Sequence, residues 1–159
     1  MDAILNWMED SALAHFVLDN SWVFPTLETL HFIGLILLFG SLSMVDLRFI
    51  GFGRRIPLEA VLGFIPVALI GFLINLTSGV MFLFSDPHRY YPNLSFRLKM
   101  VAVLLAGLNL VWFKLSLDLK MLSSEKYAVP RMKIRWIAGL SLVLWTSVIV
   151  FGRMIPYLE

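Results

Sequence analysis

Apolar residues fill this chain in four long runs, separated by short polar connections rather than interleaved with polar positions as in a water-soluble fold. A bilayer core about 30 Å thick needs about 20 apolar residues at a helical rise of about 1.5 Å each. Runs of that length extend from about Phe24 to Val45, Val61 to Phe84, Leu98 to Leu117 and Trp136 to Ile155. Glu28 and His31 are the strongly polar members of the first, and the second holds no ionisable residue. Lys99 opens the third, Lys114 lies near its end, and Arg153 stands close to the exit of the fourth. The pattern predicts an all-α integral membrane protein, an antiparallel four-helix bundle forming a single domain over residues 1–159.

The first twenty residues follow a different rule. Ile4, Leu5, Met8, Ala12 and Phe16 recur at helical spacing among Asp2, Glu9, Asp10 and Asp19, which predicts an amphipathic helix lying on the outer membrane surface. A signal peptide would open with a basic segment and a compact apolar one, and neither is present. Ser21 to Pro25 ends this helix and starts the first span, Pro being tolerated in a first helical turn.

Composition supports the membrane reading. The chain is 59% hydrophobic and 15% charged, against about 45–50% and about 25% in soluble domains, and its mean hydropathy is +0.83. With no cysteine, thiolate catalysis, iron–sulfur ligation and cysteine zinc sites are excluded. A net charge of +2 and a pI near 9.1 bring nucleic acid to mind, but the basic residues gather in the connections beside the spans. Arg48, Arg54, Arg55, Lys114, Lys120, Lys126, Arg131, Lys133 and Arg135 fall on one side, and Arg89, Arg97, Lys99 and Arg153 on the other. The positive-inside rule then places the richer side in the cytoplasm and both termini outside. Trp22, Tyr90, Tyr91, Trp136 and Tyr157 stand near span ends, where interfacial aromatic belts belong.

An ionisable residue within hydrocarbon costs roughly 2.5–3.5 kcal/mol on insertion scales and demands a reason. His31 lies just inside the outer end of the first span, and helical spacing aligns Glu28, His31, Gly34, Leu38 and Ser41 on one stripe. Gly34, one turn below the imidazole, would admit a flat group close to the backbone. Two readings of His31 stand side by side: a metal or haem ligand, and an interhelical hydrogen bond to a partner such as Asn75 with helix packing on Gly34. Lys99 reaches the same depth by antiparallel threading, either as a snorkelling base or as part of the same site, and its face continues through Ala102, Val103, Ala106 and Leu110. Arg89 and Arg97 suit lipid phosphates or the propionates of a porphyrin. His15, on the surface helix, and His88, in Asp86-Pro87-His88, complete the histidines. Their spacing matches no zinc motif. Gly71, Asn75, Ser78 and Gly79 form a small polar stripe expected to glue the second span to a neighbour. Asp46, at the cytoplasmic end of the first span, is expected to pair with Arg48 or another loop base.

Several stretches carry a resemblance. Leu27-Glu28-Thr29-Leu30-His31-Phe32-Ile33-Gly34, continuing to Val45-Asp46-Leu47-Arg48-Phe49-Ile50-Gly51, is similar to the opening of an uncharacterised family of small bacterial four-helix membrane proteins. Leu76-Thr77-Ser78-Gly79 and Asn93-Leu94-Ser95-Phe96-Arg97-Leu98-Lys99-Met100 fit the same family, and the likeness covers about Trp22 to Tyr157. More distantly, a histidine early in one span and a lysine opening a later one resemble HemJ-type protoporphyrinogen oxidases, which are associated with haem b. CopD-type copper-resistance membrane proteins share a comparable histidine-bearing helix. The resemblance gives His31 the histidine role and Lys99 the lysine role, in a bacterial inner membrane. The chain departs from the oxidases at Trp112-Phe113-Lys114, where they often carry histidine, and its last span lacks their Asn-Glu entrance.

These observations lead to the expectation of a haem b protein that transfers electrons near the outer leaflet, between a membrane quinone and a periplasmic partner. Oxidation of a porphyrin-like substrate is a narrower version. His31 is the expected axial ligand, with the second among His88, His15, Met100 and Lys99. Arg89 and Arg97 would pair with the propionates, and Gly34, Leu38, Ala102 and Ala106 would line the porphyrin faces between the first and third spans. Copper handling through His31 and the eight dispersed methionines is one alternative. A non-catalytic accessory subunit is the other. Self-association is compatible with each, and nucleic acid is not an expected partner.

Overall fold

The computed structural model describes residues 2–53, 55–116 and 132–158. Arg54, Lys120, Lys126 and Arg131, which enter the charge count above, and Leu117, the last residue of the third predicted span, lie outside the described residues. Among the described residues all regular structure is helical: α1 (Asp2–Glu9), α2 (Ala12–Asp19), α3 (Val23–Ile50), α4 (Leu58–Leu62), α5 (Ile65–Ser85), α6 (Pro87–Tyr90), α7 (Leu94–Ser116) and α8 (Met132–Met154). Helices α3, α7 and α8 and the α4–α5 stretch Leu58–Ser85 are each long and apolar enough to cross a membrane.

The amino-terminal segment is two helices, not one. Asp10 and Ser11 interrupt it, and the Ser11 hydroxyl accepts from the Ala14 N–H at 3.2 Å, starting α2 afresh. The break rotates the buried face: Leu5, Ala14 and Val17 point inward, while Ile4 and Phe16 are exposed. Val17 packs with Val23 and Leu27 of α3, backed by Met81 and Phe82 of α5. Several span ends lie outward of the expected positions, α3 running to Ile50, where Gly51 closes it at φ 122° and its N–H reaches the Leu47 carbonyl. Helix α7 begins earlier than predicted because Asn93 caps it, its Oδ1 accepting from the Phe96 N–H at 3.1 Å.

Helix α3 is central, packing along both α5 and α8, while α7 packs along α8. Two core clusters follow one another down this assembly. Leu38, Ala68, Ala102, Ala106, Trp145 and Val148 form one. Val45, Phe49, Val61, Phe113, Ile137 and Ala138 lead the other, with Phe49 and Phe113 in edge-to-face contact at 5.0 Å. Of the stripe expected on α3, Gly34, Leu38 and Ser41 are buried, with Val23, Leu27 and Val45 beside them, His31 is half-buried, and Glu28 is exposed.

Polarity is inverted relative to a water-soluble fold. Ile36, Leu104 and Leu115 are 70%, 64% and 82% exposed, whereas Asp46, Asn109, Ser41 and Ser78 are buried. An exposed apolar exterior around a partly polar interior suits a lipid surround and supports membrane association.

Candidate functional site

His31 lies about two turns into α3 and reaches across to α5. Its Nδ1 is 2.8 Å from the Ser78 Oγ. Ser78 has a single hydroxyl proton, which it donates to the Ile74 carbonyl at 2.7 Å one turn back. The hydroxyl is thereby assigned as acceptor from His31, and in the neutral ring Nδ1 then carries the proton and Nε2 the lone pair. The ring lies edge-on to Phe82, with centroids 5.6 Å apart, and its Cε1 passes Gly79 closely enough that a Cβ there would stand 3.8 Å away. The partner expected for His31, Asn75, is committed elsewhere, its Nδ2 donating to the Gly71 carbonyl at 3.1 Å.

Gly34 requires a second correction. The close approach expected from a flat ligand is made by α5 itself. A Cβ on Gly34 would lie 2.5 Å from Asn75 Nδ2 and 2.9 Å from the Gly71 carbonyl oxygen, so this backbone is covered by protein. Ala102 and Ala106 are likewise buried in the core with Leu38, Trp145 and Val148.

Lys99 comes to the same end of the molecule from α7. Its stem and ammonium lie beside Gly152 of α8, where a Cβ would sit 3.5 Å from Nζ. The missing side chain at Gly152 gives the lysine its room, and the Lys99 charge lies within electrostatic reach of the His31 ring. His31–Ser78 thus joins α3 to α5, and Lys99 beside Gly152 joins α7 to α8, at the same end of the molecule. Gly152 carried no signal in the sequence beyond being a glycine in an apolar span.

The other candidates stand apart. His15 is exposed on α2, 4.0 Å from Asp19. His88 gives Nε2 to the Asn6 Oδ1 at 2.9 Å and lies 3.6 Å from Glu9, tying α6 to α1. From Ser78 to the end of α5 at Ser85 the helix rises about 10 Å, with His88 further on, so His88 does not share the level of His31. Met100 is exposed, and Arg89 and Arg97 are exposed at the same end of the molecule as His31. Among the described residues, no three His, Cys, Asp or Glu side chains gather to hold a metal ion. His31 fits an axial nitrogen ligand, since metal-bound histidines hold their second ring nitrogen in such a hydrogen bond. Gly34 does not fit a porphyrin face.

At the other end of the assembly, Asp46 is buried with the Ser141 hydroxyl beside its carboxylate. It does not form the expected pair with Arg48, whose Nε donates to the Ile56 carbonyl at 2.8 Å. Asn109, which sequence reasoning passed over, is buried nearby and donates from Nδ2 to the Ile137 carbonyl at 3.1 Å. A lone amide in the middle of an apolar span was the available signal.

A family model described as a family of unknown function (DUF6644) matches residues 4–158. No curated protein matches the chain, and no solved structure does so.

Proposed function

We propose that the chain, which belongs to the family of unknown function DUF6644, is a haem b protein of the bacterial inner membrane that transfers electrons near the outer leaflet. In this reading the four long helices cross the bilayer as an antiparallel bundle with both termini outside. The observation that carries it is the Ser78 hydrogen bond, which in the neutral ring would leave His31 Nε2 unprotonated and hold the ring in direction, as a nitrogen that binds iron would need. Lys99, at the same end of the molecule, is the favoured second ligand over Met100 and would have to bind as the deprotonated amine; His15 and His88 are set aside by their positions. Arg89 and Arg97 would hold the propionates by charge-assisted hydrogen bonds. Haem would supply a one-electron couple. The protein's own part is to fix the His31 ring, surround it with apolar side chains such as Phe82 and keep water away, which tunes a potential. A quinone and a periplasmic protein are the proposed redox partners.

A pyridine-haem assay with metal analysis on the detergent-purified protein tests the reading: about one haem per chain or per dimer supports it. Copper without a chromophore would replace it with the copper-handling alternative.

A second reading has its own support. The His31–Ser78 bond and the Gly34–Gly71 approach are both sound helix-to-helix joints without a ligand. They favour an accessory subunit, for which a colourless, metal-free protein and a His31→Gln variant of unchanged stability are the expected results.

A further inference from the structure

We propose that Asp46, Asn109 and Ser141 form a membrane-embedded proton-binding site, in which Asp46 takes up a proton delivered through water held in the cavity these residues share. The cavity has a volume of about 40 Å³ and is lined by these three residues together with Leu42, Phe113 and Trp145, among others. A water needs roughly 10–15 Å³ of such space, so about three or four fit.

The polar atoms facing this region are unfinished. Asp46 and Asn109 are each 5% exposed, and Asp46 Oδ2 and Asn109 Oδ1 have no hydrogen-bond partner among the described residues. Two acceptor oxygens that deep in an apolar core demand donors. A protonated Asp46 supplies one donor and water supplies the others, whereas an ionised carboxylate there would be an unbalanced buried charge.

Asp46 is the ionisable residue of the cavity lining. On the elements packed around it, the charged residues towards this end, Glu59 on α4, Lys114 on α7 and Lys133 and Arg135 on α8, stand outside that lining, and Arg97, Lys99 and Arg153 lie at the opposite ends of α7 and α8. Arg48, on the same helix, is also buried, at 2% exposure, and directs Nε to the Ile56 carbonyl. A metal cation is the poorer occupant. Sodium sites in membrane proteins draw on carbonyls freed where a helix unwinds; α3, α7 and α8 run unbroken past this cavity, and at the α4–α5 break beside Ile65 the Glu59, Val61 and Phe64 carbonyls already accept backbone N–H groups.

The step is a plain transfer: a hydronium in the cavity gives its proton to Asp46 Oδ2, leaving a neutral carboxyl and a water. Asp46 stands fifteen residues from His31 on α3, about 22 Å along the axis, so the two sites serve opposite ends of the molecule. The proposal does not depend on what His31 binds.

Infrared spectra of the full chain in lipid nanodiscs test it. At neutral pH the wild type should show a protonated-carboxyl stretch that is lost in Asp46→Asn and moves in Ser141→Ala, which keeps the acid but removes its neighbouring hydroxyl. Transfer to heavy water should shift the band, reporting access to exchangeable water. An Asp46 signal found only as ionised carboxylate overturns the proposal. A carboxylate band that moves with added sodium overturns it too, in favour of a cation site.

Discussion

Gly34 and Gly71 bring α3 and α5 into backbone contact: a Cβ on Gly71 would lie 2.5 Å from the Leu38 nitrogen and 2.6 Å from the Gly34 carbonyl oxygen. Neither glycine has a side chain to hold the helices apart, and Asn75, Ile74 and Leu37 close in around the contact.

Gly71→Ala should therefore force the helices apart. Overpacking of a closely fitted site costs about 1–3 kcal/mol, and the obstruction here is main chain, which cannot rotate away. A Cβ added to Gly40, on the same helix as Gly34, would meet nothing within 4 Å beyond its own helix. Gly40→Ala should be neutral or stabilising by up to about 1 kcal/mol. Denaturation of both variants in detergent, compared with wild type, checks the contrast; equal stability of the two would contradict it.

Asn93 joins the start of α7 to the carboxyl-terminal turn. While its Oδ1 caps the helix, its Nδ2 donates to the Ile155 and Leu158 carbonyls at 3.0 and 2.9 Å. Asn93→Ala removes a cap worth about 0.5–2 kcal/mol and leaves carbonyls short of donors at about 1–3 kcal/mol. A loss of about 2–4 kcal/mol is expected, with faster proteolysis after Met154. Unchanged cleavage would show that the end is held elsewhere.

Ser78→Ala tests the tautomer of His31. Nitrogen NMR of the ring should show Nδ1–H in the wild type and a mixture of tautomers in the variant, because the acceptor that fixes the proton is gone. A wild-type ring protonated on Nε2 would remove the argument for an exposed lone pair.

Tyr90, beyond the end of α5, gives a pH dependence. Burial pushes its phenol above the ordinary value; the Arg89 charge opposes this, and Asp86 and Glu28 add to it. A raised value means that the folded state binds the proton more tightly. Its contribution to stability is complete below the ordinary tyrosine value of about 10 and fades as pH climbs through the folded-state value. Phenolate absorbance should show one late-titrating tyrosine in the native protein that is missing in Tyr90→Phe. Coincident native and denatured titrations would contradict this.

The four apolar helices were legible because lipid-depth length and hydropathy leave few alternatives, and the Gly71–Asn75–Ser78–Gly79 stripe correctly named the face that meets α3. The inner partners were less legible. Helical spacing puts Asn75 and Ser78 within a turn of each other, so periodicity cannot choose between them for His31, and only the register of α3 against α5 does. Gly34 offered the same ambiguity, since a bare backbone admits a ligand or another helix equally well. Asp46 beside Arg48 suggested an ion pair, but residues two apart point about 200° apart around a helix; both are buried, and Arg48 turns to the Ile56 carbonyl. The double helix at the amino terminus was signalled by Ser11, a good capping residue, and was obscured by the apolar repeat running across it.

The central claim is that His31 Nε2 binds haem iron. The absorption spectrum of purified wild-type protein beside His31→Ala, with helical content matched by circular dichroism, tests it most directly. A Soret band present in the wild type and lost from a folded His31→Ala supports the claim; no Soret band in either, or the same band in both, contradicts it.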